Sequence, residues 1–276
     1  MKTYSAVLLD IDGTLVDSNL QVSSNTKRLL NQLERRGIPI VLCSARAPSG
    51  VELVEQQAGL MSPIVCVGGS LNLDKNRDIL EDKGIDRETA IRFKRFIAET
   101  FPGITVCSYM YDVWLVDDLS DPNIQLLMER NPTSTAIVGS LEAALDADSH
   151  AHKLMCMGPT QAINEVQSAA QQKFPDLVFA RSGNIFLEVL CKDASKLTAM
   201  ERIRDHYHLD SEKIVAIGDY YVDIEMIRNA GLGIAMGNAP EGVKQAAKKV
   251  TTSNDEEGVY FALKSLRFAA PSSLNR

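Results

Sequence analysis

Apolar residues fall along this chain in two rhythms, and the change between them marks its organisation. Near the start, "SAVLLDIDGTLVDS" (5–18) begins as an unbroken apolar run and ends in acids, a glycine and a threonine. Such a run predicts a strand buried on both faces, as in parallel sheets. "SSNTKRLLNQLERRG" follows, with Leu29, Leu30 and Leu33 on one helical face, Ser23 or Ser24 as N-cap and Gly37 as the stop. "IPIVLCSA" predicts a second short buried strand, "SGVELVEQQAGL" a helix, and "PIVCVGG" a third strand closed by glycine. Strand, helix, strand, helix, strand implies a parallel sheet with helices on its faces. The rhythm returns late, where "KIVAIGD", "LGIAMGN" and "KVTTS" are separated by "DIEMIRNAG" and "APEGVKQAAKK". Both ends of the chain are therefore expected to share one sheet.

Between them the texture changes. From about Glu81 to Phe186, helical stretches such as "DRETAIRFKRFIAETF" and "TQAINEVQSAAQQKF" are mixed with strands that alternate, as in "ITVCSYMYDVWLV". Alternation predicts an antiparallel sheet with one helix-covered face. The fold expected is α/β: a Rossmann-like parallel-sheet core from residues 1–82 and 187–276, interrupted by an inserted α+β domain at 83–186. A chain of 276 residues suits two domains.

Composition narrows the partners. With 45% hydrophobic residues the chain has ample material for a core. Its 29 basic and 36 acidic residues leave a formal charge of −7, which argues against a broad nucleic-acid or anionic-membrane surface. An anionic substrate would need a dedicated pocket. No apolar stretch reaches the ~18 residues of a membrane span, and a cytoplasmic protein is expected, with no nucleic-acid or membrane partner. The five cysteines are scattered without a C-x-x-C pair, which disfavours disulfides and structural zinc.

In open parallel sheets, ligands bind at the carboxyl ends of the strands, and Asp10 and Asp12 stand where the first strand runs out. Two acids so placed imply a bound cation or a raised pKa on one of them. Other strand ends offer Ser44 and Arg46 after "IVLC", glycines after "IVCV", and Asp219 with Asp223 after "IVAIG". Hard oxygen ligands from two strand ends suit Mg2+. Lys196, opening the helix "SKLTAMERIRDHYH", adds a fixed positive charge. The set is a place for a phosphate, with an acid to attack, charges to offset a dianion, and hydroxyl and amide donors.

These residues also carry a resemblance. "DIDGT" (10–14), "CSAR" (43–46), "DASK" (193–196), "GDYYVD" (218–223) and "MGNAPEGVKQAAKKVTTSNDEEGV" (236–259) resemble, in order, the motifs of the haloacid dehalogenase-like hydrolases, and are most similar to their Cof-type phosphatase branch. The resemblance spans nearly the whole chain and implies that the insertion is a cap domain. It implies Asp10 as nucleophile, forming an aspartyl-phosphate, and Asp12 as general acid and base. Gly13 would allow the tight turn, Thr14 and Ser44 would contact the phosphoryl group, and Lys196 would bridge nucleophile and phosphate. Asp10, the main-chain carbonyl of Asp12, and Asp219 would hold Mg2+, with Asp223 behind them; Arg46 is a further substrate-binding candidate. Three positions depart from the pattern: Val222 and Gly68 stand where asparagine is usual, and Tyr220 where a small or polar residue is.

The expectation is a Mg2+-dependent phosphatase acting on a small phosphorylated metabolite: a sugar phosphate, a nucleotide or a phosphorylated vitamin. A phosphomutase or phosphotransferase using the same aspartyl-phosphate is the enzymatic alternative. A phosphometabolite-binding module without turnover is the other, motivated by Val222, Tyr220 and Gly68. Plainer readings apply elsewhere. Asn238 is expected to cap the helix near Pro240, Asn254 and Asp255 to form turns, and His150 and His152 to lie in a linker. Tyr109, Tyr111 and Trp114 are expected to pack inside the insertion rather than to form a ring-binding platform. Cys43 belongs to a strand's apolar run and is not expected to be a nucleophile.

Overall fold

The computed structural model describes residues 2–130 and 135–271. The chain divides into two compact units, Met1–Asp82 with Ser195–Arg276, and Lys83–Ala194.

The first unit is built on an eight-stranded sheet in the order Lys249–Val250, Leu232–Ala235, Ile214–Gly218, Ala6–Asp10, Ile40–Cys43, Ile64–Cys66, Leu71–Leu73, Ile79–Asp82. The first six run parallel, so the two ends of the chain share one sheet through the pairing of Ile214–Gly218 with Ala6–Asp10. Alternate residues of these strands enter two cores. Val7, Leu9, Ile40, Leu42 and Ile217 pack with Leu30 and Leu33 of the helix Ser24–Arg35. Ala6, Leu8, Val41, Cys43 and Ala216 pack with Ala199, Met200 and Ile203 of the helix Lys196–His206. Burial on both faces is the physical reason the strands are continuous apolar runs. The helix Ser24–Arg35 starts at Ser23, whose hydroxyl accepts the Thr26 N–H.

Two antiparallel strands, Leu71–Leu73 and Ile79–Asp82, extend the sheet where the sequence predicted none. Their short runs mix apolar and polar residues, and their turn is held by local chemistry. The Asp74 carboxylate accepts the N–H groups of Asn76 at 2.7 Å and Asp78 at 2.9 Å. Arg77, in the left-handed region at φ 71°, reaches the carboxylates of Glu52 and Glu55 on the helix Pro48–Ala58.

The second unit carries a six-stranded sheet in the order Ala136–Val138, Val113–Val116, Thr105–Met110, Lys153–Met157, Phe186–Cys191, Leu177–Gly183. All pairings are antiparallel except that of the edge strand Ala136–Val138. Helices Arg87–Thr100 and Thr160–Lys173 pack Phe93, Ile97, Ile163 and Val166 against one face. The other face is not left bare as expected, because Ile124 and Leu127 of the helix Pro122–Arg130 pack against Cys107, Trp114 and Met155. The expected return to the core at residue 187 is displaced to 195. Phe186–Cys191 pairs with Lys153–Met157 and Leu177–Gly183 along its length, and its apolar run resembles a core strand in sequence alone. His150 and His152 are not linker residues: His150 lies in a strand paired with Ile85–Asp86, and buried His152 accepts the Tyr111 N–H on Nδ1 at 3.1 Å. No helix among the described residues is long and apolar enough to cross a membrane.

Candidate active site

Asp10 ends the first core strand, and its side chain is buried, with the residue only 6% exposed. Lys196 meets it from the neighbouring helix, its ammonium 2.5 Å from Asp10 Oδ1 and 2.6 Å from Asp223 Oδ1. A lysine at the first position of a helix faces the positive end of the helix dipole, so these two acids offset an otherwise unfavourable placement. The helix is held by its cap: Ser195 accepts the Thr198 N–H, and Thr198 accepts the Ser195 N–H in return. Gly69 lets this end come close, since a Cβ there would lie 2.3 Å from the Ser195 carbonyl oxygen.

Asp219 and Asp223 flank the end of Ile214–Gly218. One carboxylate oxygen from each of Asp10, Asp219 and Asp223 lies within 4.8 Å of the others. Burial pushes Asp10 well above the usual carboxylate range despite Lys196, and the charges of Asp223 and Asp219 push the same way. Asp219 is pushed up to about 6, by burial first and then by Asp223, while the Thr14 hydroxyl opposes the shift. Burial alone would lower the Lys196 ammonium, but Asp10 and Asp223 outweigh it and hold it above its ordinary value. Asp223 is fully used: beyond Lys196, its Oδ2 accepts the N–H groups of Asp219 at 3.1 Å and Tyr220 at 3.0 Å.

Asp12 departs from this cluster. Its side chain is 53% exposed and turns to Arg46, which donates from Nε at 2.9 Å and Nη2 at 2.6 Å, one bond to each carboxylate oxygen. Arg46 is therefore occupied by Asp12. Gly13 lies at φ 78°, and a Cβ there would come within 2.4 Å of Asp219 Oδ2, so only glycine fits the turn. Thr14 gives its hydroxyl to Asp219 Oδ1 at 3.0 Å, and Ser44 Oγ accepts the Arg46 N–H at 3.1 Å. Of the hydroxyls expected at the phosphate, Thr14 thus braces Asp219, and Ser44 braces the loop that carries Arg46.

The departures from the family pattern have separate explanations. Gly68 has φ 71°, a conformation that asparagine tolerates and glycine adopts freely, so the exchange preserves the backbone. Tyr220, Tyr221 and Val222 are exposed (38, 54 and 46%), while Asp223 turns inward. Cys43 is fully buried beneath the acids, and its thiol is pushed up to about 12 by burial, which removes it as a nucleophile. Trp114 is buried and stacked on Tyr109 with planes 7° apart, as packing requires, whereas Tyr111 is exposed.

Asn238 is not the helix cap expected of it. The N-cap of the helix Glu241–Ala246 is Pro240, without a side-chain cap bond. Asn238 instead donates to the Gly13 carbonyl at 2.9 Å and lies 3.4 Å from Asp219 Oδ2. Its position in a strand-end loop, like those of Asp219 and Ser44, was the signal that a capping rule outweighed.

The fold and this cluster define a hydrolase class. A sequence model of the haloacid dehalogenase-like hydrolases matches residues 7–263, and the chain belongs to that family. A relative from Haemophilus influenzae is 32% identical over 260 residues, covering 94% of this chain and 97% of its own. The 5-amino-6-(5-phospho-D-ribitylamino)uracil phosphatase YitU of Bacillus subtilis is 24% identical, over 94% of this chain and 96% of its own. A haloacid dehalogenase-like hydrolase from Bacteroides thetaiotaomicron superposes with a TM-score of 0.85 at 25% identity, over 95% of this chain and 99% of its own. The protein is a phosphatase of this family.

Proposed function

We propose that the protein hydrolyses phosphate monoesters of small metabolites through an aspartyl-phosphate on Asp10, with Mg2+ as cofactor. The observation that carries the reading is the cluster of buried Asp10 and Asp223 with half-buried Asp219, the first two of which hold Lys196. Three carboxylates against one ammonium leave two formal negative charges in a buried place, a deficit that one divalent cation matches. The donor set, all hard oxygens, fits magnesium. Asp10, the Asp12 main-chain carbonyl and Asp219 are the residues that would hold it, with Asp223 fixing Lys196 and the 219–220 backbone from behind. When bound, the cation supplies positive charge that lets a phosphate dianion approach a carboxylate.

In this reading an Asp10 oxygen attacks phosphorus, and the bond to the ester oxygen breaks. Lys196 holds Asp10 in place and offsets the charge on the transferred group. Asp12, once released from Arg46 and protonated from solvent, gives that proton to the departing alkoxide. Asp12 then takes a proton from water, whose oxygen attacks the aspartyl-phosphate; inorganic phosphate leaves and the Asp10 carboxylate is restored. The second unit is proposed as a cap that selects the leaving group, and the cytoplasm as the place of action. The relative named for a phosphorylated ribitylaminouracil supports small polyol or sugar phosphates as the substrate class.

The test is release of inorganic phosphate from a panel of small esters, with Mg2+ or with chelator, by wild type and Asp10→Asn. Metal-dependent release that vanishes in the variant supports the reading. More than a few per cent of activity left in Asp10→Asn, with contamination excluded, sinks the nucleophile assignment. Transfer of phosphate between sugars without release would favour the mutase.

A further inference from the structure

We infer that Asn238 is a positioning residue for the reaction, tying the turn after the nucleophile to Asp219, and that Asn254 holds Asn238 in the orientation this needs. The inference rests on the proposed roles of Asp10, Asp12 and Asp219.

Asp219 is held at both oxygens from one side of the site. Thr14 donates to Oδ1 at 3.0 Å, and the Asn238 amide faces Oδ2 at 3.4 Å while donating to the Gly13 carbonyl at 2.9 Å. The amide spans the short gap in which Gly13 and Asp219 nearly touch, a gap that admits no Cβ. Its other end is also fixed, because Asn238 Oδ1 accepts the Asn254 N–H at 3.1 Å. A flipped amide would aim its oxygen at two acceptors and its NH2 at a donor, so the network permits one orientation.

Asn254 does more than orient its neighbour. Its own amide donates to the Val16 carbonyl at 3.1 Å, and Asp255 accepts the N–H and the hydroxyl of Ser18, each at 2.7 Å. The loop that carries Asp12 is thus gripped at residues 13, 16 and 18. The platform doing so is tightly packed: a Cβ on Gly237 would lie 2.7 Å from the Ser253 nitrogen, and one on Gly258 would lie 2.3 Å from the Thr252 oxygen. Asn238 touches neither Asp10 nor Lys196 in these bonds. It acts through the Gly13 carbonyl and Asp219, and so sets where Asp12 and Asp219 stand relative to each other.

The test is steady-state kinetics on p-nitrophenyl phosphate with Mg2+, together with melting curves, for wild type, Asn238→Ala, Asn254→Ala and the double variant. Asn238→Ala is expected to lower kcat about tenfold with KM within about twofold, as befits loss of about one or two hydrogen bonds that orient reacting groups. It is also expected to raise the Mg2+ concentration that gives half the full thermal shift. Asn254→Ala should act in the same direction by about threefold, and the double variant should match Asn238→Ala within about twofold, because the two act in series. A rise in KM with kcat kept would make Asn238 a substrate contact and overturn the inference. So would a lower melting temperature with kcat kept, or effects that multiply in the double variant. If Asn238→Ala does not fold, the isosteric Asn238→Asp replaces it, with kcat expected to fall further because a carboxylate faces the Gly13 carbonyl and Asp219; kcat kept there overturns the inference as well. A wild type that releases no phosphate overturns the phosphatase reading and this inference with it. An active wild type with Asn238→Ala unchanged overturns this inference alone.

Discussion

Asp10 and Asp12 stand two residues apart in opposite surroundings. Asp10 is buried among Asp219, Asp223 and Lys196, where carboxylates outnumber the ammonium. Asp12 lies in the open, matched by Nε and Nη2 of Arg46. Unit charges 4 Å apart interact by ~1 kcal/mol in water but by ~4 kcal/mol at the effective dielectric near protein. The same excess of negative charge therefore matters several times more around Asp10 than around Asp12. The buried region is a site built to receive positive charge; the exposed region is one where a carboxylate is parked on an arginine and can be let go.

The sharpest way to break this comparison is Asp10→Asn. Turnover is expected to fall on the order of 10⁴-fold or more, because an amide is a far weaker nucleophile than a carboxylate. Stability should move the other way. With chelator present, the variant removes one of three crowded carboxylates and keeps Asp223 as a partner for Lys196, so its melting temperature is expected to equal or exceed that of wild type. A clear loss of stability on melting would mean that Lys196 depends on Asp10 more than the acids repel one another.

Asp12→Asn should separate the two regions. Loss of a general acid costs ~10²–10⁴ in rate, whereas loss of an exposed ion pair costs ~0–1 kcal/mol of stability. Strong inactivation with a nearly unchanged melting curve is therefore expected. An Asp12→Asn protein that kept most of its turnover on esters with poor leaving groups would remove Asp12 from proton transfer.

Mg2+ itself should register only on the buried side. A ligand at a hundredfold excess over its Kd stabilises the native state by about 2.7 kcal/mol. A rise in melting temperature with Mg2+ is expected for wild type and for Asp12→Asn, whose side chain lies outside the cluster. It should be absent in Asp219→Asn, read by thermal melts alone without any activity measurement. A shift of equal size in Asp219→Asn would move the cation away from these acids.

How much of this was legible in the sequence follows the same division. Buried parallel strands announce themselves as apolar runs whose ends put Asp10 and Asp219 at the carboxyl edge of one sheet, whereas Lys196, at the start of a helix, is indicated only by the order of the motifs. The hairpin Leu71–Asp82 was silent because its strands are short and its turn is stabilised by Asp74 and Arg77, which carry no periodic signal. Residues 187–191 of the strand Phe186–Cys191 fall to the core by sequence for the opposite reason: their burial pattern matches a core strand, and only the pairing partners distinguish them. The Asp12–Arg46 pair and the Asn238 network lay beyond sequence because they join residues 34 and 225 positions apart. Local rules can say that an asparagine near a helix start makes a good cap. They cannot say that a glycine carbonyl across the fold is a better partner.

The smallest effect expected is at Val222, between the exposed tyrosines and the inward Asp223. Asp223 fixes the backbone of this turn through the 219 and 220 N–H groups, and neither bond involves the side chain at 222. Val222→Asn should therefore leave stability within ~0.5 kcal/mol of wild type. One added hydrogen bond toward the phosphate would contribute ~0.5–1.5 kcal/mol, a gain in kcat/KM of roughly two- to tenfold. Measured on p-nitrophenyl phosphate, such a gain would place residue 222 at the rim of the buried region. No gain would place it with the exposed one, and would show that the charged cluster works in this chain without the asparagine the family usually carries there.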